Sequence, residues 1–161
     1  MIARLLLLLS LLTPVLALAD PAFIYLVRHG EKETGNDPAL TAQGQQRARN
    51  IAALLRQAGI GAVFSSQTRR TMQTAQPMAQ AAGVAVQAYD AANPQALVAR
   101  VKAIDGGAVL VVGHSDTLSE LVRRFGGEPG ADIGDMEYQR VYQLSKGADG
   151  KVVTVVLSSL P

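Results

Sequence analysis

Short apolar runs alternate with amphipathic stretches along most of the chain, which is typical of strands and helices that follow one another. The first apolar run, 23–27, is rich in β-prone residues and predicts a strand buried on both faces. Further strands are predicted at 62–66, 84–88, 108–112, 138–144 and 152–157. Apolar residues at helical spacing predict helices over 42–58, from the polar residues 65–70 to about 82, from 94 to about 104, and from 115 to about 125.

This alternation predicts the α/β class, as a three-layer α/β/α domain with a mostly parallel central sheet. The run 108–112 is the most hydrophobic of the predicted strands after the leader and is expected near the centre of that sheet. Glycines at 147 and 150 predict the turn of a C-terminal antiparallel hairpin, whose last strand is expected at the edge.

Residues 1–19 have the layout of a secretory signal peptide rather than of a folded element. A single arginine, Arg4, precedes a leucine-rich run, and Ala17-Leu18-Ala19 is an A-x-A pattern before Asp20. We therefore expect an exported, periplasmic protein that is cleaved after Ala19, carries one domain over 20–161 and has no stable membrane insertion after cleavage. The alternative is an uncleaved N-terminal anchor, although the apolar run is short for a membrane span.

Composition excludes several classes of protein. Hydrophobic residues make up 48% and charged residues 17% of the 161 positions, as in a folded domain. A net charge of +2, from 15 basic and 13 acidic residues, is too balanced for a nucleic-acid binder or a membrane-surface binder. There is no cysteine, so disulfides, thiol catalysis and cysteine-ligated metals are excluded.

Distinctive polar residues follow three of the predicted strands. Arg28 and His29 come after the first, Ser66 and Arg70 after the second, and His114 after the run 108–112. Because the carboxyl ends of parallel strands meet at one edge of a sheet, these side chains are expected to converge there. Two guanidinium groups and two imidazoles would form a pocket for a tetrahedral oxyanion.

A histidine in such a pocket can attack phosphorus. One imidazole would be neutral at the attacking nitrogen and held at its other nitrogen by a backbone acceptor. The second imidazole, if protonated, would stabilise charge on the transferring group, and the arginines would do the work that Mg²⁺ does elsewhere. The residues therefore indicate phosphoryl transfer through a phosphohistidine, with no metal and no cofactor.

Four motifs in this order resemble the signatures of the histidine phosphatase superfamily, the phosphoglycerate mutase-like fold, in its compact exported bacterial members. They are Arg28-His29-Gly30, Leu40-Thr41-x-x-Gly44, Ser66-x-x-x-Arg70-x-x-Thr74-Ala75 and Gly113-His114-Ser115. The resemblance implies that His29 is the phosphorylated nucleophile. It also implies that Arg28, Arg70 and His114 bind the phosphoryl group, and that Arg69 is a solvated neighbour.

The sequence departs from the family pattern at the proton donor to the leaving group, which many members carry as a glutamate. Asp90, Asp116 and Glu137 are candidates, and the absence of a dedicated acid is the alternative. Ser65, Ser66 and Ser115 are expected to cap helices. Thr74 and Ala75 are expected to pack a helix, while Glu31 is expected either to support the site or to be a solvated loop charge.

We therefore expect a metal-independent phosphatase that acts on a small-molecule or envelope-linked phosphate ester. One alternative is a catalytically weak phosphate- or phospholigand-binding module of the same fold. Another is a protein phosphohistidine phosphatase, a substrate class that is typically cytosolic. Oligomeric state is left open by the sequence.

Overall fold

The computed structural model describes residues 20–159. The predicted signal peptide, residues 1–19, therefore lies outside the described residues. The elements of the described part, in chain order, are β1 Phe23–Arg28, α1 Ala42–Leu54, β2 Ile60–Ser66, α2 Arg69–Ala82, β3 Val86–Tyr89, α3 Pro94–Lys102, β4 Ala108–Gly113, α4 Ser115–Arg124, β5 Arg140–Lys146 and β6 Val152–Ser158. No helix within residues 20–159 is long and apolar enough to cross a membrane.

The strands form one mixed sheet in the order β3-β2-β4-β1-β5-β6. Strands β3, β2, β4 and β1 are parallel, while β5 runs antiparallel to β1 and forms an antiparallel hairpin with β6 at the edge. Strand β4 lies between β2 and β1 and is buried along its whole length. The predicted fold class, the central position of 108–112 and the C-terminal hairpin are confirmed.

Helices cover both faces of the sheet, because successive residues of a strand point to opposite faces. On one face, Ile24 and Leu26 of β1 pack in a cluster with α3 and α4 residues such as Val101 and Leu118. On the other face, Tyr25 and Val27 pack with α1 and α2 residues, which include Ile51, Ala75 and Met78. The fully buried, branched residues of β4 join both clusters, which explains why the apolar runs are nearly continuous.

Helix α1 ends four residues earlier than the predicted helix over 42–58. The N–H groups of Arg56 and Ala58 bond to carbonyls three residues back, at Ala53 and Leu55, which tightens the chain before Gly59. Strand β3 begins later than predicted because the N–H of Val84 still bonds to Ala79 O at the end of α2. Gly83, with φ of 68°, ends α2 in the left-handed conformation as the glycine signal predicts.

A close backbone crossing joins the turn after β1 to the first turn of α1. A Cβ on Gly30 would lie 2.7 Å from Gly44 O, and a Cβ on Gly44 would clash with the Glu31 carbonyl oxygen. Thr41 caps α1 by accepting from Gly44 N at 3.1 Å, and its own N–H donates to Glu31 O at 2.9 Å. The segment after β1 is therefore held against α1 by two glycines that leave room for it.

We predict that Gly44→Ala destabilises the protein by roughly 1–3 kcal/mol, the range typical of overpacking. Helix propensity alone favours alanine over glycine by about 1 kcal/mol. A net decrease in the free energy of unfolding would therefore come from the clash at the backbone crossing and not from the helix. The measurement is the free energy of unfolding from chemical denaturation.

The matched control is Gly61→Ala, since a Cβ on Gly61 in β2 meets nothing within 4 Å. This variant should stay within about 0.5 kcal/mol of the parent protein. Equal stabilities for the two variants would show that the crossing tolerates a methyl group.

Candidate active site

The His29 ring is held at the carboxyl end of β1 by its own backbone neighbours. The N–H of His29 donates to Gly113 O at 3.0 Å, which extends the β1–β4 ladder by one residue. Nδ1 lies 2.8 Å from Gly30 O, and a carbonyl only accepts, so the proton of the neutral ring is on Nδ1. The lone pair is therefore on Nε2, and the other ring nitrogen is bonded to a backbone acceptor, the arrangement expected for an attacking histidine.

The electrostatic surroundings keep the His29 ring neutral. Burial lowers its pKa, and although the Gly30 hydrogen bond raises it, the positive surroundings of His114, Arg70 and Arg28 lower it further, to about 4. The ring is 4% exposed, so the low value has a direct structural cause. At neutral pH the lone pair on Nε2 is therefore free of a proton.

His114 lies directly after β4, and its ring centroid is 5.4 Å from that of His29 in an edge-on arrangement. Its Nε2 is 2.8 Å from Ser66 Oγ, and its Nδ1 is 3.4 Å from an Nη of Arg70. Burial lowers the pKa of His114, Arg70 and Arg28 lower it as well, and Asp116 opposes them. The protonated second imidazole expected from the sequence is therefore disfavoured in the ligand-free protein.

Arg70 lies in the first turn of α2 and points toward the two histidines, whereas Arg69 is exposed. One terminal nitrogen faces His114, and the other is 3.9 Å from Asp37 Oδ1. Asp37 also accepts a hydrogen bond from Arg69 N at 2.8 Å, so a single carboxylate holds the start of α2 and faces Arg70. The structure thus places Arg70, and not Arg69, against His114.

Arg28 is 8% exposed. Besides facing the site, it has a structural role that the sequence did not indicate. Its Nη1 donates to the carbonyls of Gly134, Asp135 and Glu137 at 2.9–3.1 Å, so it holds the loop that precedes β5. The Tyr138 ring stacks on its guanidinium, with the central carbon 4.2 Å from the ring centroid. Arg28 therefore joins the β1 end to the loop over the site.

Two buried donors in the site have no acceptor among residues 20–159. They are Nε of Arg28 and Nε of Arg70, from the two guanidinium groups whose positive charge acts on His29. A buried N–H without a partner costs free energy, and more so on a charged group. Two guanidinium groups with donors left unpaired fit an anionic ligand, and arginine donors match the oxygens of a phosphoryl group.

Two polar residues contribute to the site in ways the sequence reasoning missed. Ser66, expected as a cap, instead bonds to His114, while the N-cap of α2 is Thr68, which makes no side-chain capping bond. Thr74, expected only to pack a helix, accepts from Gly30 N at 3.0 Å and donates to Arg70 O at 2.8 Å. The spacing Ser66…Arg70…Thr74 in the sequence was the available signal for both roles.

Glu31 supports the site through a buried partner, Arg47, that no motif indicated. Arg47 Nη2 and Glu31 Oε1 are 2.6 Å apart, and the side chains are 6% and 13% exposed. Burial alone raises the pKa of Glu31, but hydrogen bonds and charge from Arg47 outweigh it, so the pKa is lowered. The pair joins the segment after His29 to α1. Glu31 is therefore a supporting residue and not a solvated loop charge.

The three candidate proton donors differ in their surroundings. The carboxylate of Asp90 accepts from Ala92 N within its own turn. Glu137 is held by Arg140 at 2.5 Å, and this hydrogen bond lowers the pKa of Glu137, so it is poorly suited to carry a proton. Asp116 lies in the first turn of α4, and its charge acts on His114. Within residues 20–159, no group of three or more histidine, cysteine or carboxylate residues is arranged to hold a metal ion.

The chain is similar to known proteins in sequence and in fold. Residues 24–93 match the sequence model of the histidine phosphatase superfamily (branch 1). A protein named probable phosphoglycerate mutase GpmB, from Citrobacter koseri, is 37% identical over 105 residues, which cover 60% of this chain and 44% of that protein. The chain thus spans about half the length of the curated relatives that it matches.

Solved structures share the fold at low sequence identity. Phosphoserine phosphatase of Entamoeba histolytica, in complex with 3-phosphoglyceric acid, aligns with a TM-score of 0.64 and 18% identity, covering 86% of this chain and 97% of that one. The protein histidine phosphatase SixA, complexed with tungstate, aligns with a TM-score of 0.62 and 20% identity, covering 85% and 97%.

We predict that Arg47→Met destabilises the protein by about 3 kcal/mol at neutral pH, because it leaves Glu31 as a buried charge without its partner. The folded-state pKa of Glu31 is depressed, so the contribution of the pair is present above the unfolded pKa of a glutamate. It is lost as the pH falls through the lowered folded-state value. Urea denaturation at several pH values measures this loss.

The matched control is Arg124→Met, which breaks the exposed pair of Arg124 and Glu120 at 2.7 Å. Exposed pairs contribute about 0–1 kcal/mol, so this variant should change little. An Arg47→Met variant as stable as the Arg124→Met control would show that Glu31 does not depend on its partner.

Proposed function

The chain belongs to the histidine phosphatase superfamily, and on this premise we propose that it is a metal-independent phosphatase. It hydrolyses a phosphate monoester, or a similar phosphoryl group, through a phosphohistidine intermediate on His29. The observation that carries this proposal is the His29 ring, which is buried and neutral, with Nδ1 bound to Gly30 O and Nε2 left as the nucleophile. The unsatisfied Nε groups of Arg28 and Arg70 support a phosphoryl group as its target.

The reaction proceeds in two displacements at phosphorus. In the first, His29 Nε2 forms a bond to phosphorus while the ester P–O bond breaks, and the leaving oxygen takes a proton from an acid or from water. In the second, a water oxygen attacks phosphorus, the N–P bond breaks, and phosphate and neutral His29 are released. The hydrogen bond from Nδ1 to Gly30 stabilises the positive charge that the ring carries as a phosphohistidine.

The two arginines supply the charge stabilisation in both steps. Their guanidinium groups have protein contacts on the Nη side, because Nη1 of Arg28 is held by the loop before β5 and the Nη atoms of Arg70 face His114 and Asp37. Preorganised donors of this kind cost no reorganisation at the moment of reaction. Asp116 fits the acid best of the three candidates, because its charge reaches His114 while Glu137 is engaged by Arg140.

The substrate we propose is a small-molecule or envelope-linked phosphate ester. Tyr138 supports this class, because its ring lies 6.1 Å from that of His29 between ring centroids. The loop before β5 therefore places an aromatic ring beside the proposed nucleophile. An alcohol with some apolar surface fits such a neighbour.

We predict that the protein hydrolyses an activated aryl phosphate with EDTA present, and that His29→Ala reduces kcat by at least about 10³-fold, the scale of losing a covalent nucleophile. Release of the aryl alcohol is followed by absorbance. The control is Arg69→Ala, since Arg69 is exposed beside the site and should leave the rate within about twofold. Equal rates for His29→Ala and the parent protein would contradict the assignment of His29 as the nucleophile.

The same assay identifies the proton donor to the leaving group and distinguishes a phosphatase from a phospholigand-binding module. Asp116→Asn should slow an alkyl phosphate much more than the aryl phosphate, because a good leaving group does not need the proton. Asp90→Asn and Glu137→Gln should affect both substrates equally. Phosphate binding without turnover on either ester would favour a phospholigand-binding module of the same fold.

We also propose that residues 1–19 direct export and that the mature chain begins at Asp20, on the pattern Ala17-Leu18-Ala19. N-terminal sequencing of the protein from the periplasmic fraction of a Gram-negative host should then start at Asp20. A cytosolic protein would contradict export and would favour a protein phosphohistidine phosphatase, whose substrate class is typically cytosolic. An intact Met1 would contradict cleavage and would favour the uncleaved N-terminal anchor.

A further inference from the structure

We propose that Ser66 fixes the neutral ring of His114 as the Nε2–H tautomer, so that an oxyanion entering the pocket beside Nδ1 is bound together with one proton. The inference rests on the proposed function only in taking an oxyanion as the ligand. It assigns a positioning role to Ser66 and makes His114 the proton acceptor of the binding step.

The hydroxyl chain behind His114 determines where its proton lies. Thr71 Oγ1 is 2.8 Å from Ser66 O and 2.9 Å from Thr68 O, and carbonyls only accept, so its one proton is used there. Ser66 Oγ is 3.0 Å from Thr71 Oγ1, and with the Thr71 proton already committed, Ser66 is the donor of that bond. Ser66 has then no proton left for His114 and accepts from Nε2–H at 2.8 Å.

The contact on the Nδ1 side of the His114 ring independently indicates the same Nε2–H tautomer. Arg70 Nη2 is 3.4 Å from His114 Nδ1, and a guanidinium has donors but no acceptor. A proton on Nδ1 would face that donor, so in the ligand-free protein Nδ1 carries the lone pair. The hydroxyl chain and the arginine therefore agree on one tautomer.

The charged and titratable groups around the ring come from four elements. His29 and Arg28 lie at the end of β1, Arg70 on α2 and Asp116 on α4, while Ser66 closes the β2 side. The two arginines disfavour a protonated ring, and Asp116 opposes them only in part. An oxyanion bonded to the arginines cancels their effect, which makes proton uptake favourable when it arrives.

A lone pair at Nδ1 would repel an anionic oxygen placed beside it. The ring cannot exchange its proton from Nε2 to Nδ1 without breaking the bond to Ser66, which is buried along with Thr71. Binding is then balanced by one proton from solvent, which bonds to Nδ1 and forms an N–H···O bond to the anion. By linkage, anion affinity falls about tenfold for each pH unit above the pKa of free His114.

The direct test is the tautomer itself, read from long-range proton–nitrogen NMR spectra of the protein at pH 7. The chain has two histidines, so the His29→Ala variant assigns both rings. We expect the Nε2–H pattern for His114 and the Nδ1–H pattern for His29. An Nδ1–H or doubly protonated His114 would overturn the inference, whether or not the protein hydrolyses esters.

The second test counts protons during anion binding. Tungstate is titrated calorimetrically into His29→Ala at pH 7 in buffers of different ionisation enthalpy, because His114 is then the only imidazole. We expect uptake of about one proton per tungstate. Binding without uptake, or no binding at all, would overturn the proposal.

Ser66→Ala in the same background tests the positioning role. Without Ser66, a neutral Nδ1–H ring can donate to the anion directly, so uptake should fall well below one proton. Ser65→Ala is the matched control, since Ser65 is equally buried on the same strand but donates to Ser66 O and not to His114. A weaker affinity with unchanged uptake in Ser66→Ala would show a merely structural role and overturn the assignment.

Discussion

The hydrogen bond from His29 Nδ1 to Gly30 O is the contact on which the rest of the site depends. It lies between adjacent residues, so it forms only if the chain after β1 turns in one way. Three contacts enforce that turn: Gly30 N donates to Thr74, Gly30 lies against Gly44, and Glu31 pairs with Arg47. Helices α1 and α2 therefore determine, from one face of the sheet, which nitrogen of His29 is free to react.

The two histidines are held in opposite ways, and the difference follows from their partners. His29 faces a carbonyl, which only accepts, and His114 lies between a committed hydroxyl and a guanidinium, which only donates. Burial beside two arginines lowers the pKa of each ring, which favours the neutral form of both. One pocket thus contains two imidazoles whose ring nitrogens have different partners.

Much of the fold could be predicted from the sequence, because a buried parallel sheet leaves nearly continuous apolar runs and the βα order limits the topology. The convergence of Arg28, His29, Arg70 and His114 followed from the same topology. Arg47 could not be predicted, since an arginine on a polar helix gives no sign of a partner sixteen positions away. The bond between Ser66 and His114 was also missed, because local spacing suggests a cap, and only the register of β2 beside β4 brings the two together.

The way Arg28 holds the loop before β5 has a consequence for how this protein can change over time. Its hydrogen bonds to this loop go to three backbone carbonyls, those of Gly134, Asp135 and Glu137. Every residue carries a backbone carbonyl, so these three hydrogen bonds do not depend on the side chains of residues 134, 135 and 137, whereas the stacking on the guanidinium requires the ring of Tyr138. Met136, in the middle of the segment, projects almost entirely into solvent. The fold thereby fixes the backbone of this segment while it leaves the side chain at position 136 free to vary.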